Sequence, residues 1–167
     1  FRRNLGNVER GSAWALVTGS ALGIGRQYAE QLAERGYNVV MVDINAKGLD
    51  ETAAIVKEAV EASDKVPAQM RRDLKLLSVV QDLSAMDAAD QVYAATQEAG
   101  CEVEVLVNNA GIMYCQGIAE TSERMLKLIM MVHMNTPLML CRKYVTGMKE
   151  RKCGYILNIS SLAAWMS

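Results

Sequence analysis

The sequence predicts an α/β fold, a doubly wound parallel sheet with strand order 3-2-1-4-5. Three observations predict it. Short apolar runs alternate with amphipathic segments of helical period along the chain, as a sheet wound by right-handed crossovers requires. The run Val39-Val40-Met41-Val42 is apolar without a break, which suits a parallel strand buried on both faces. Gly19, Gly23 and Gly25 lie between the first strand and the first helix, beside the crevice where such sheets bind ligands.

The elements follow in order. Residues 13–18 form a short buried strand. After the glycines, 26–35 is a helix with Ala29, Leu32 and Ala33 on one face and Gly36 as its stop. Residues 38–42 are the second strand, ending at Asp43, and 47–61 the next helix. The polar stretch 63–73, with Pro67, is a loop. Residues 74–81 are the third strand, ending in Asp82; Ser84, with Asp87 three positions on, caps a helix that runs to residue 99. Residues 103–107 are the fourth strand, ending at Asn108-Asn109-Ala110-Gly111. Two helices, 122–133 and 135–150, precede a fifth strand at 155–159.

A chain of 167 residues, 51% hydrophobic and 22% charged, suits one domain spanning residues 1–167. A formal net charge of -1 leaves no footprint for nucleic acid. No run reaches the apolar length of a membrane span and no signal peptide is visible. Phe1-Arg2-Arg3 is expected to be a leader remnant or a plain chain end. Cys101, Cys115, Cys141 and Cys153 lack metal or disulfide spacing, which suits thiols in a reducing compartment and a cytoplasmic protein; no metal site is expected.

The residues with chemistry sit at the carboxyl ends of the strands. Gly19 permits a tight turn, Gly23 lets the backbone approach a pyrophosphate, and Gly25 lets the helix pack closely on the sheet. The helix N-terminus offers free N–H groups and the positive end of its dipole. Asp43 ends the second strand. A carboxylate there accepts hydrogen bonds from both ribose hydroxyls of an adenosine and repels a 2′-phosphate. Leu22, Ile44 and Asn45 bring no positive charge to offset that, so NAD is expected over NADP. The alternative for Asp43 is a cap on the following helix. Asp82 suits the adenine amino group or a turn before Ser84. Asn108 and Asn109 suit a structural role, locking neighbouring strand ends together beneath the cofactor.

Taken together, Thr18-Gly19-x-x-x-Gly23-x-Gly25, Asn108-Asn109-Ala110-Gly111 and Asn158-Ile159-Ser160-Ser161 resemble the classical short-chain dehydrogenase/reductase family, from about Gly11 onward. The stretch from Trp14 to Val40 is similar to the branch that reduces 3-oxoacyl thioesters and oxidises hydroxysteroids. The resemblance implies a Rossmann-like sheet and hydride transfer between a nicotinamide cofactor, NAD(P)(H), and a carbonyl or secondary alcohol. It implies that Gly19, Ser20, Gly23, Ile24 and Gly25, with Asp43, bind the adenosine half of the cofactor. Asp82 and Leu83 would flank the adenine, and Asn109, Ala110 and Gly111 would line the cleft. Asn135 resembles the helix asparagine that orders a water in the family's proton relay. Ser161 resembles the hydroxyl that polarises the substrate carbonyl. The implied partners are a small carbonyl or alcohol substrate and further copies of the chain.

The family's reaction also needs a Tyr-x-x-x-Lys pair, with Tyr as acid/base and Lys lowering its pKa. Tyr28, Tyr37, Tyr93, Tyr114, Tyr144 and Tyr155 all lack a lysine four positions later. The chain is therefore expected to be an inactive fragment of a longer enzyme, with the C-terminal part of the fold missing. A non-catalytic dinucleotide-binding or interaction module is the alternative. His133 is expected to be a packed or surface histidine without metal partners. The methionines Met125, Met130, Met131, Met134 and Met139 suit core packing, an apolar substrate or a helix seam between copies.

Overall fold

The computed structural model describes residues 13–64, 66 and 68–161, and holds one sheet of five parallel strands in the order β3-β2-β1-β4-β5. The strands are β1 (Ala13–Thr18), β2 (Asn38–Asp43), β3 (Leu76–Val80), β4 (Glu102–Asn108) and β5 (Tyr155–Asn158). This is the order that the alternating pattern predicts. Phe1-Arg2-Arg3, Pro67 and residues 162–167 lie outside the described residues.

Each face of the sheet is covered by helices, because successive strand residues point to opposite sides. On one face Ala15 and Val17 of β1 and Val39 and Met41 of β2 meet Ala29, Leu32 and Ala33 of α1 (Gly23–Glu34) and Leu49, Val56 and Val60 of α2 (Ala46–Ala62). The short helix α3 (Ala68–Arg72) follows α2. On the other face Trp14, Leu16, Val40 and Val42 meet Ala88 and Val92 of α4 (Ala88–Glu98). They also meet Leu140, Tyr144 and Met148 of α6 (Thr136–Glu150), which is preceded by α5 (Glu123–Met130). Each fully buried aliphatic side chain contributes about 1.5–3 kcal/mol. In β4 the register against β1 shifts from Trp14↔Val103 to Ala15↔Val105. Glu104 is the extra residue, and the bulge keeps Val105 and Val107 on the α1 face while Val103 and Leu106 stay on the α6 face.

Three helices end in the same hydrogen-bonded turn. After α1, the Gly36 and Tyr37 amides donate to Ala33 O and Leu32 O, and Gly36 takes φ +101. After α4, the Gly100 and Cys101 amides donate to Gln97 O and Thr96 O, with Gly100 at φ +65. After α6 the same turn carries a lysine, Lys152, at φ +54. No helix among the described residues is long and apolar enough to cross a membrane.

Three local expectations are corrected. The stretch 63–73 is not all loop: α3 forms within it, anchored by Arg71, which donates to Val66 O (2.8 Å) and Glu61 O (3.0 Å). Ser84 does not cap α4, which begins at Ala88. Its amide and hydroxyl both turn back to Asp82 Oδ1, at 2.9 and 2.7 Å, making a local turn that competes with a helix start. The helices 122–133 and 135–150 are not separate. Ser122 caps α5 through Met125 N (3.3 Å), and the helix then runs on through a π turn, Met131–Asn135, into α6. The wider turn absorbs one extra residue without a break; Val132 is buried in it, while His133 and Met134 are exposed.

Candidate functional site

The glycine loop is shaped by close approach. Gly19 stands at φ +67, and a Cβ there would lie 2.8 Å from Ala110 Cα. A Cβ on Gly25 would collide with the Gly19 carbonyl, so the first turn of α1 packs directly on the loop. Gly23, at φ +57, has no heavy atom within 4 Å of where its Cβ would be. The main chain is thus bare and open at the start of α1, and the N-cap residue Leu22 bonds none of the helix amides through its side chain. Open N–H groups beside a glycine cradle fit the pyrophosphate of a dinucleotide.

Thr18 joins this loop to β4. Its Oγ1 accepts from the amides of Asn109 and Ala110, both at 3.0 Å, and donates to Val107 O at 3.4 Å. Asn109 answers with its own amide, donating from Nδ2 to Thr18 O (2.9 Å) and Gly19 O (3.1 Å). Asn108 Nδ2 donates to Asn158 Oδ1 (2.8 Å), tying the end of β4 to the end of β5. The two asparagines therefore lock strand ends together.

Asp43 is braced as well as exposed to the crevice. Its Oδ2 accepts from Ala21 N and its Oδ1 from Asn45 N, each at 3.0 Å. The cap of α2 is Asn45, whose Oδ1 accepts from Gly48 N (3.0 Å), so Asp43 is not that cap. Each carboxylate oxygen keeps acceptor capacity for a ribose hydroxyl. Arg26 is occupied elsewhere: it donates to Ala21 O (2.6 Å) and Thr52 Oγ1 (3.0 Å), with Glu51 at 3.6 Å.

A cavity of about 270 Å³ opens at these strand ends, and its walls bring together Gly19, Asp43, Asp82, Leu83, Ala110 and Gly111. Thr136 fixes one wall by donating to Leu83 O (2.8 Å, buried). Other site candidates stand apart from its walls. Ser20 is fully buried, with its hydroxyl on Val42 O at 3.3 Å. Ile24 is 63% exposed at the start of α1. Asn135 closes the π turn, half-buried, and Ser161 is exposed beyond the end of β5. Among the described residues no three His, Cys, Asp or Glu side chains gather to hold a metal ion. The brace built from Thr18, Arg26, Thr52 and Thr136 is absent from the sequence prediction. Most of its partners are main-chain carbonyls and amides of distant segments, which leave no spacing in the chain; the one signal was a hydroxyl residue at the buried end of β1.

Comparison with known proteins agrees with this fold. The family model described as short chain dehydrogenase matches residues 13–167. A very-long-chain 3-oxoacyl-CoA reductase of Anas platyrhynchos is 35% identical over 161 residues, covering 90% of this chain and 46% of the relative. A 17-beta-hydroxysteroid dehydrogenase type 3 of Danio rerio is 32% identical over 155 residues, covering 89% of this chain and 45% of the relative. Among solved structures, L-sorbose reductase of Gluconobacter frateurii, complexed with NADPH and L-sorbose, superposes with TM-score 0.78 at 27% identity. That match covers 92% of this chain and 54% of the other. The chain thus spans about half the length of the curated relatives it matches.

Proposed function

This chain belongs to the short-chain dehydrogenase family, and from that membership we propose that the protein is an NAD(H)-dependent oxidoreductase acting on a carbonyl or secondary alcohol. The bound nicotinamide would supply or accept the hydride. The rest of the work falls to the chain. The open amides of the glycine loop and the start of α1 hold the pyrophosphate. Asp43 takes the adenosine ribose hydroxyls, Asp82 and Leu83 flank the adenine, and Ala110 and Gly111 form the wall over β4. Ser161 donates a hydrogen bond to the substrate carbonyl oxygen, where negative charge develops. Asn135, at the end of the π turn, orients a water for proton delivery. The acid/base Tyr-x-x-x-Lys pair is assigned to residues outside these 167.

Substrate size is proposed from two supports. The relatives are named for very-long-chain 3-oxoacyl-CoA and for hydroxysteroids, and the long acyl chain and the steroid skeleton are both apolar. The segment after Gly111 carries Met113 and Ile118, 88% and 81% exposed, which suits contact with such a chain.

The observation that carries the NAD preference is the Asp43 carboxylate at the end of β2 with Arg26 turned away from it to Ala21, Thr52 and Glu51. The test is the affinity of the chain for NADH and for NADPH, in the parent and in Asp43→Ala. The parent is expected to prefer NADH, and the substitution to weaken NADH by about tenfold to hundredfold, the value of charge-assisted hydrogen bonds. NADPH affinity should change far less. Loosening of the Ala21 and Asn45 amides affects both cofactors alike, so the ratio isolates the 2′-position. A ratio unchanged by the substitution contradicts the assignment.

A further inference from the structure

His133 is the only histidine of the chain, and the roles assigned so far leave it out. It stands exposed in the π turn Met131–Asn135, and its ring reaches across to the segment that follows β4. Nε2 lies 3.0 Å from the amide nitrogen of Ile112 and 3.0 Å from the carbonyl oxygen of the same residue. Cε1 lies 3.0 Å from the place a Cβ on Gly111 would occupy, so the ring covers the bare Gly111 main chain. Any larger residue at that position would displace it. Gly111 and Ile112 are themselves walls of the 270 Å³ cavity, with Gly19, Asp43 and Leu83.

The ring nitrogen serves one Ile112 partner at a time. With the proton on Nδ1, Nε2 accepts from the Ile112 N–H; with the proton on Nε2, it donates to the Ile112 carbonyl. In both tautomers a stretch of main chain that makes no other hydrogen bond among the described residues is fixed to the helix. The sheet order says which part of a ligand this affects. β4 lies on the far side of β1 from β2 and β3, which carry Asp43 and Asp82 at or just past their ends. A dinucleotide with its adenosine over β2 and β3 has its other half over β1 and β4, against Gly111 and Ile112.

We propose that His133 is a positioning residue for the nicotinamide half of the bound dinucleotide, acting through the Gly111–Ile112 main chain that it holds in the cleft wall. This rests on the dinucleotide function proposed above. The test uses the 167-residue chain with NADH and AMP as probes, in the parent, His133→Ala and His133→Gln. Loss of one hydrogen bond and its packing in His133→Ala should weaken NADH about fivefold to tenfold. AMP, which meets only the adenosine walls, should bind as to the parent. His133→Gln, whose amide can still meet Ile112, should recover most of the NADH affinity, a rescue that a purely space-filling role would not give. Equal NADH affinity in His133→Ala overturns the proposal, as does a parallel loss of NADH and AMP. If His133→Ala fails to fold, the two imidazole ¹⁵N signals of the parent's one histidine decide. They should shift with NADH and stay with AMP, and signals indifferent to both, or moved equally by both, overturn the proposal. A parent that binds AMP and NADH with no measurable affinity instead removes the dinucleotide function itself.

Discussion

Replacing Thr18 by alanine would leave the amides of Asn109 and Ala110 without the hydroxyl that accepts both of them. Thr18 is buried and Asn109 and Ala110 are half-buried, so water reaches the stranded amides only in part, at a cost of about 1–3 kcal/mol. Thr18→Ala is expected to lower unfolding free energy by that amount and to weaken NADH, since the Gly19 turn loses its tie to β4. Urea unfolding and an NADH titration check the two halves. Unchanged stability would show that the tie is not carried by Thr18. The glycines and Asp43 were legible in the sequence because each answers a local demand: φ above zero, a bare backbone, a charge at a strand end. Thr18 was read only as a member of the family motif and His133 only as a packed or surface histidine, because both act on main-chain groups far away in sequence. Ser20, which the family pattern offers to the cofactor, has its hydroxyl on Val42 O.

At the scale of elements, the turn after α6 holds Lys152 at φ +54 where α1 and α4 use glycine. A left-handed conformation costs a non-glycine residue about 1–2 kcal/mol, partly offset because glycine gains more freedom in the unfolded chain. Lys152→Gly is therefore expected to raise stability by up to about 1 kcal/mol, visible as a higher urea midpoint. The contact between α4 and α6 offers a comparison of magnitudes. Thr96 Oγ1 donates to Tyr93 O (2.8 Å), so the buried Tyr144 hydroxyl, 2.8 Å away, is the donor to Thr96. Burial pushes the Tyr144 hydroxyl well above the usual phenol range. Nearby, Lys143 pairs with Asp90 at 2.5 Å, but the Asp90 side chain is 65% exposed. Tyr144→Phe should cost about 1–2 kcal/mol and Asp90→Asn under about 1 kcal/mol. The reverse order would mean that the ion pair, not the buried hydroxyl, joins the helices. The strands were legible from their apolar runs and the stop of α1 from Gly36. The start of α4 was misread because Ser84 is a cap residue by type, yet its hydroxyl had a nearer acceptor in Asp82. The π turn was invisible because helical periodicity does not distinguish a wide turn from a break.

For the whole molecule, Cys101 and Tyr37 join Tyr144 in setting the alkaline limit. Burial pushes the Cys101 thiol up from 9.0 to about 11, against a smaller opposing pull from Lys75. Burial, reinforced by Glu104, pushes the Tyr37 hydroxyl from 10.0 to about 12. In the unfolded chain both groups lose their protons first, so above pH 9 the folded state binds more protons and stability falls as pH rises. Urea midpoints are expected to be insensitive to these groups below pH 9 and to decline from there to about pH 12, with the earlier part of the decline removed in Cys101→Ala. The sheet order was legible because connectivity rules leave few topologies once five strands alternate with helices. The central claim is that the carboxyl ends of these strands form one dinucleotide site. The most direct measurement is a ¹H–¹⁵N spectrum of the 167-residue chain titrated with NADH. Saturable shifts gathered at the amides of Gly19, Asp43, Leu83 and Gly111 are predicted; no shifts, or shifts gathered at the opposite ends of the strands around Trp14 and Gly100, would contradict it.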